Sequence, residues 1–139
     1  MVARARRRAR TVLAAVAVAA LTTGCSVQEA ATGEAQRRAE AAVRASADQD
    51  PATLCALLAP HTVQELERQD SAPCEVAARS LDLGQPSGGG PTEVWGSSAL
   101  VPMGPATVFL TDVDGRWKVL AAGCTLREDQ PAECELGGG

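Results

Sequence analysis

Five cysteines and one histidine are the side chains with the widest chemical repertoire in this sequence. Cys55, Cys74, Cys124 and Cys134 stand apart from Cys25, which lies near the N-terminus. Thiols can ligate a metal, exchange electrons or pair into structural disulfides. Redox and zinc sites bring two thiols close together, most often as C-x-x-C. The spacings here are 19, 50 and 10, and His61 is the lone histidine. These spacings match no common zinc pattern, so two structural disulfides are expected. Four cysteines allow three connectivities. The favoured one joins Cys55 to Cys74 and Cys124 to Cys134, two short loops worth roughly 3 kcal/mol each through the unfolded chain.

The remaining candidates read as structural. Histidine is the side chain whose reference pKa lies near neutrality, which makes His61 the obvious acid–base candidate. It sits between Pro60 and Thr62 at a helix junction, where a solvated turn residue is expected. No second histidine or placed nucleophile completes a triad. Asp112 and Asp114 flank a turn but fall short of a calcium loop. Glu128, Asp129, Glu133 and Glu135, with Arg127, form an acidic segment expected to be solvated, with a partner-binding patch as the alternative. Gly88, Gly89 and Gly90 lack the Lys-Ser/Thr that ends a phosphate loop, and no strand precedes them. Trp95 and Trp117 are expected to be core or cavity-lining residues rather than a stacking platform. No catalytic residue, metal or cofactor is expected.

The elements that must position these residues change period halfway along the chain. Ala35, Ala39, Ala42, Val43 and Ser46 recur at helical spacing, predicting a helix over 34–47. Glu34–Arg38 and Glu40–Arg44 add i,i+4 pairs on its wet side. Asp50 and Pro51 are a cap and first-turn residue for a short helix over 51–58 that buries Leu54, Leu57 and Leu58. Pro60 ends that helix. Thr62 and Glu65 have capping-box spacing for a third helix through Asp70, with Val63 and Leu66 inward. Ser71-Ala72-Pro73 begins a fourth, with Cys74, Ala77, Ala78 and Leu81 on one face. Residues 84–91, GQPSGGGP, read as a flexible loop.

Alternation then takes over. Val94 and Trp95 mark one strand, and Ala99–Met103 a second in which Pro102 signals an edge or bulge. Residues 106–113 form a third strand. Asp114-Gly115 is a two-residue hairpin turn. Residues 116–122 return with Trp117, Val119 and Ala121 on one face and Arg116, Lys118 and Leu120 on the other. The tail over 124–139 is polar, ends in GGG and is expected to be loose, with 137–139 outside the domain. Helices followed by a meander predict an α+β domain with helices on one face of an antiparallel sheet.

Charge and composition narrow the compartment. Residues 1–10 carry five arginines and no acid, and residues 11–21, TVLAAVAVAAL, are an apolar run of 11. That run is the length of a secretory signal core and too short to span a bilayer. LTTGC at 21–25 resembles the bacterial lipobox, with Leu21 one place ahead of the usual leucine. The resemblance implies cleavage after residue 24, a diacylglyceryl group on Cys25, and a tether over 25–33. The remaining 115 residues hold eight Lys+Arg against 17 Asp+Glu, a net charge of −9. An acidic surface argues against nucleic acid and against electrostatic docking on anionic lipid. Ile, Asn and Tyr are missing and Lys118 is the only lysine. This bias points to a GC-rich genome such as an actinomycete's.

The stretches DQDPATLCALLAPHTVQELE and TVFLTDVDGRWKVLAAGC resemble small NTF2-like lipoproteins of actinomycetes, a largely uncharacterised group. The resemblance spans most of 34–135. It implies a single domain over 34–136 in which helices cover a curved sheet to make a cone. It implies a fold and no particular activity. The expected function is therefore a non-enzymatic binding or accessory module, lipid-anchored on the outer face of the cell membrane, with an envelope protein as partner. The alternative is a small-molecule carrier or enzyme whose apolar cone is lined by Trp95, Phe109, Leu110 and Trp117.

Overall fold

The computed structural model describes residues 23–137. The chain divides into two units, Met1–Ala31 and Thr32–Gly139. The second is an α+β domain: four helices packed on a five-stranded antiparallel sheet, stapled by two disulfides.

The helices are α1 (Thr23–Ala47), α2 (Pro51–Leu57), α3 (Pro60–Asp70) and α4 (Cys74–Ala77), the last continuing as a 3-10 turn over Ala78–Ser80. The small residues Ala35, Ala39, Ala42 and Val43 are all fully buried, as their spacing predicts. The helix begins earlier than expected. Residues 26–33, read as a tether, continue α1, because Ala, Glu and Gln there favour helix and only Gly33 opposes it. Glu34 pairs with Arg38 at 3.9 Å, whereas Glu40 accepts the Gln36 side-chain amide at 3.0 Å.

Asp50 caps α2 by accepting the Thr53 N–H, and Pro51 occupies the first turn. Leu54 and Leu57 are buried on α2, with Leu58 just beyond it. The reading of Pro60 and Thr62 is corrected. Pro60 opens α3 instead of merely ending α2, and no side chain caps α3. Thr62 lies inside the first turn, 1% exposed, and donates its hydroxyl to the Leu120 carbonyl at 2.9 Å. The inward face of α3 is therefore Thr62 and Leu66, while Val63 is half-buried. A buried hydroxyl with a distant acceptor outcompetes a local cap.

The strands are β1 (Glu93–Trp95), β2 (Ser98–Met103), β3 (Ala106–Val113), β4 (Arg116–Arg127) and β5 (Gln130–Glu133), paired in chain order. The Asp114-Gly115 turn forms with both residues at positive φ, as the primed hairpin requires. In β4, Trp117, Val119 and Ala121 are buried while Arg116 and Leu120 are exposed. A register shift between Phe109 and Leu110 then slips the pairing by one residue, and Ala121 and Ala122 are both buried. β1 pairs only with Ser98–Leu100, which leaves Pro102 beyond the last β1 partner, where its missing N–H is tolerated.

The polar C-terminal segment is ordered where looseness was expected. β5 pairs with β4, and Leu136 exchanges two backbone hydrogen bonds with Ala122 and is 3% exposed. Gly123, Cys124 and the disulfide hold this segment, so its polarity marks an edge strand and not a free tail. Residues 138 and 139 lie outside the described residues.

The outer edge of β4 is closed in sections. Leu58 bridges Val119, and the Ala59 N–H donates to the Val119 carbonyl at 2.8 Å. Lys118 Nζ donates to the Ala56 carbonyl at 2.6 Å, Thr62 reaches Leu120, and Leu136 and β5 cover the rest.

Candidate functional site

All four cysteines of the domain are consumed by disulfides. Cys55 on α2 bonds Cys74 at the start of α4, with Cα atoms 6.1 Å apart, and Cys124 on β4 bonds Cys134 just after β5. The first bridge staples two short helices that share little backbone hydrogen bonding. Its neighbourhood is fixed further by the Cys74 N–H, which donates to Glu67 Oε1 at 3.0 Å. The second returns the chain end to the sheet. Among the described residues no three His, Cys, Asp or Glu side chains are placed to hold a metal.

The four residues expected to line a cone do not face one another. Leu110 and Trp117 are buried at 1% and 6% exposure on the side of the sheet that carries the core. Phe109 and Trp95 lie on the opposite side, with Trp95 51% exposed. Successive residues of a strand point to opposite faces. Phe109 and Leu110 are neighbours in β3, so that grouping conflicted with alternation already in the sequence.

His61 is a solvated helix residue. Its side chain is 72% exposed, and Nε2 lies 3.9 Å from Glu65 Oε2, beyond hydrogen-bond reach. Asp112 serves the hairpin: its Oδ1 accepts the Gly115 N–H at 2.7 Å. In the acidic segment Arg127 pairs with Glu133 across β4 and β5 at 2.9 Å. The glycine run has a packing role. A Cβ on Gly89 would stand 2.6 Å from the Gly104 nitrogen, so the loop lies directly on the β2–β3 turn.

One concavity was not foreseen. Ala41, Arg44 and Ala45 of α1, with Asp48, Asp50 and Thr53 beyond it, line a cleft of about 250 Å3. Its most perturbed group is Asp50. Hydrogen bonds from the Thr53 side chain and then its backbone N–H hold that carboxyl below its ordinary value. The carboxylate is thus engaged in capping α2. The DQDP stretch announced the cap, but nothing in it announced a cleft, because the walls come from the preceding helix.

Residues 1–22 of the leader expected over 1–24, and the Cys25 side chain, lie outside the described residues. Among the described residues no helix is long and apolar enough to cross a membrane. No protein-family model matches the chain, and neither do curated proteins or solved structures.

Proposed function

We propose that this chain is an extracytoplasmic lipoprotein of a GC-rich, actinomycete-type bacterium. Cys25 carries the lipid, residues 1–24 are the signal that directs it there, and the domain is a non-enzymatic binding or accessory module. In this reading the domain is NTF2-like, its helices and antiparallel meander serving as a display scaffold for an envelope partner. The observation that carries the reading is the pair of disulfides, Cys55–Cys74 and Cys124–Cys134. Two structural disulfides in so small a domain belong to an oxidising compartment. The arginine-rich start, the apolar run of 11 and the small residues before Cys25 supply the route. Two acyl chains on Cys25 would give stable membrane residence where one chain would not.

The test is metabolic labelling with an alkyne fatty acid, followed by membrane fractionation. The wild-type chain is expected to take the label and sediment with membranes. Cys25→Ala is expected to lose the label and leave the pellet. A Cys25→Ala chain that stays with the membrane sinks the anchor. Native mass spectrometry of the extracted protein then addresses the role. A stoichiometric protein adduct supports the accessory module, and a discrete small-molecule mass beyond the lipid replaces it with a carrier.

A further inference from the structure

The two disulfides are set in unlike surroundings. Thr125 pairs with Glu133 and Ala122 pairs with Leu136, so the register puts Cys124 directly opposite Cys134. Their bond runs straight across one antiparallel ladder. Opposed residues of such a ladder hold their Cβ atoms about 4.5–5.5 Å apart. A disulfide needs them about 3.5–4.5 Å apart. Closing the bond therefore draws the strands off their ladder spacing. Cys55 and Cys74 lie on two short helices, α2 and α4, whose separation no ladder fixes. Bonds that work against their surroundings are the reducible ones.

The Cys124–Cys134 bond holds the end of the chain. The outer edge of β4 is closed over Lys118–Leu120 by Ala56, Leu58, Ala59 and Thr62, and over Ala122–Arg127 by the C-terminal segment. Apart from the disulfide, two registered pairs hold β5, and Pro131 within it has no N–H to donate. The Arg127–Glu133 ion pair is more than half exposed on both sides, where such pairs contribute little. Two backbone hydrogen bonds between Ala122 and Leu136 complete the attachment. Cys124 is fully buried and Cys134 half-buried, so a reductant reaches the bond from the Cys134 side.

We propose that Cys124–Cys134 is a reducible latch, opened by an external dithiol while Cys55–Cys74 stays closed. One thiolate of the dithiol attacks the Cys134 sulfur. The Cys124–Cys134 bond breaks, a mixed disulfide forms, and Cys124 leaves as a thiolate that takes up a proton. The second thiolate of the reductant attacks its own sulfur in the mixed disulfide and releases Cys134, which is protonated in turn. The domain gains two electrons and two protons, and the reductant departs as a disulfide. Glu133 and Glu135 flank Cys134 and disfavour an anionic monothiol as the reductant. Reduced Cys124 remains a small apolar residue in the core, so the helical half need not move. The C-terminal segment then leaves β4, and a closed sheet edge becomes an open one over Ala122–Arg127. The latch does not depend on a lipid at Cys25.

The test treats the folded full-length chain with graded dithiothreitol after its free thiols have been blocked. Newly freed cysteines are alkylated with an isotope-coded reagent and read by peptide mass spectrometry. Trypsin sites at Arg68, Lys118 and Arg127 separate the four cysteines. Cys124 and Cys134 are expected to reach half labelling at about tenfold less dithiothreitol, or lower still, than Cys55 and Cys74. In the chain so reduced, the Ala122 and Leu136 amides are expected to exchange hydrogen about tenfold faster or more, while the Ala59 amide, bonded to Val119, keeps its protection. A chain carrying both Cys124→Ala and Cys134→Ala is expected to show the same exchange pattern with Cys55–Cys74 intact. Equal or reversed order of reduction overturns the proposal. So do Ala122 and Leu136 amides that stay protected in the reduced or doubly substituted chain. Loss of protection at Ala59 as well is global unfolding and overturns it too.

Discussion

Thr62 carries a hydroxyl into a site of 1% exposure and donates it to a carbonyl 58 residues away. A buried acceptor deprived of its donor costs about 1–2 kcal/mol. Thr62→Val keeps the shape and removes the donor, so it is expected to destabilise the domain by about that amount. Thr62→Ser keeps the donor and loses a methyl, a change of about 1 kcal/mol at most. Urea unfolding of the two variants separates them; a loss in Thr62→Ser with none in Thr62→Val would mean that the methyl, not the hydrogen bond, matters. Ser46 makes a comparable link. Its hydroxyl donates to the Leu81 carbonyl at 2.9 Å and accepts the Leu83 N–H at 3.2 Å. Neither partnership was legible beforehand. Thr62 and Ser46 were read by local spacing, as a cap and as a small stripe residue, and their true partners lie far along the chain. Asp50, whose partner is three residues away, was legible for that reason.

Among the elements, the glycine loop makes the sharpest prediction. Gly88 has open space where a Cβ would go, whereas Gly89 would bring one to 2.6 Å from the Gly104 backbone. Gly88→Ala is expected to leave thermal stability within about 0.5 kcal/mol of wild type, as surface changes usually do. Gly89→Ala must displace the loop or the β2–β3 turn and is expected to cost about 1–3 kcal/mol, the range of overpacked sites. Equal melting temperatures for the two would show that the loop does not rest on the turn. Element types and their order were legible, because the period shifts from the Ala35–Val43 stripe to the Trp117–Val119–Ala121 alternation. Boundaries were less so. α1 runs on through 26–33 because no breaker but Gly33 interrupts good helix formers. β5 escaped notice because an edge strand exposed along most of its length shows no alternation of apolar residues. The cone lining failed for a plainer reason: it took two residues from each face of the sheet.

At the scale of the molecule, a thin core leans on its covalent staples. Only 24 Val, Leu, Met, Phe or Trp residues follow residue 24. Each disulfide is worth roughly 3 kcal/mol against a typical total of about 5–15. Replacing Cys55 and Cys74 together by Ala is expected to lower the melting temperature by about 10–20 °C for a domain of this size. Calorimetry with intact Cys124–Cys134 would detect it, and an unchanged melt would show that the helices hold without the bridge. The seam along β4 bears on folding order as well as on stability. Ala56, Leu58, Ala59 and Thr62 find their partners only at Lys118–Leu120, 58–62 residues later. Contacts of such long separation close slowly. A chain emerging N-terminus first therefore shows Leu54, Leu57, Leu58 and Leu66 to solvent until the second half arrives. Cys55 and Cys74 can meet in that interval, because both lie in the helical half, while Cys124 and Cys134 must wait. The early bridge acts as a timekeeper: it holds an unfinished half in register until the strand that completes it has been made.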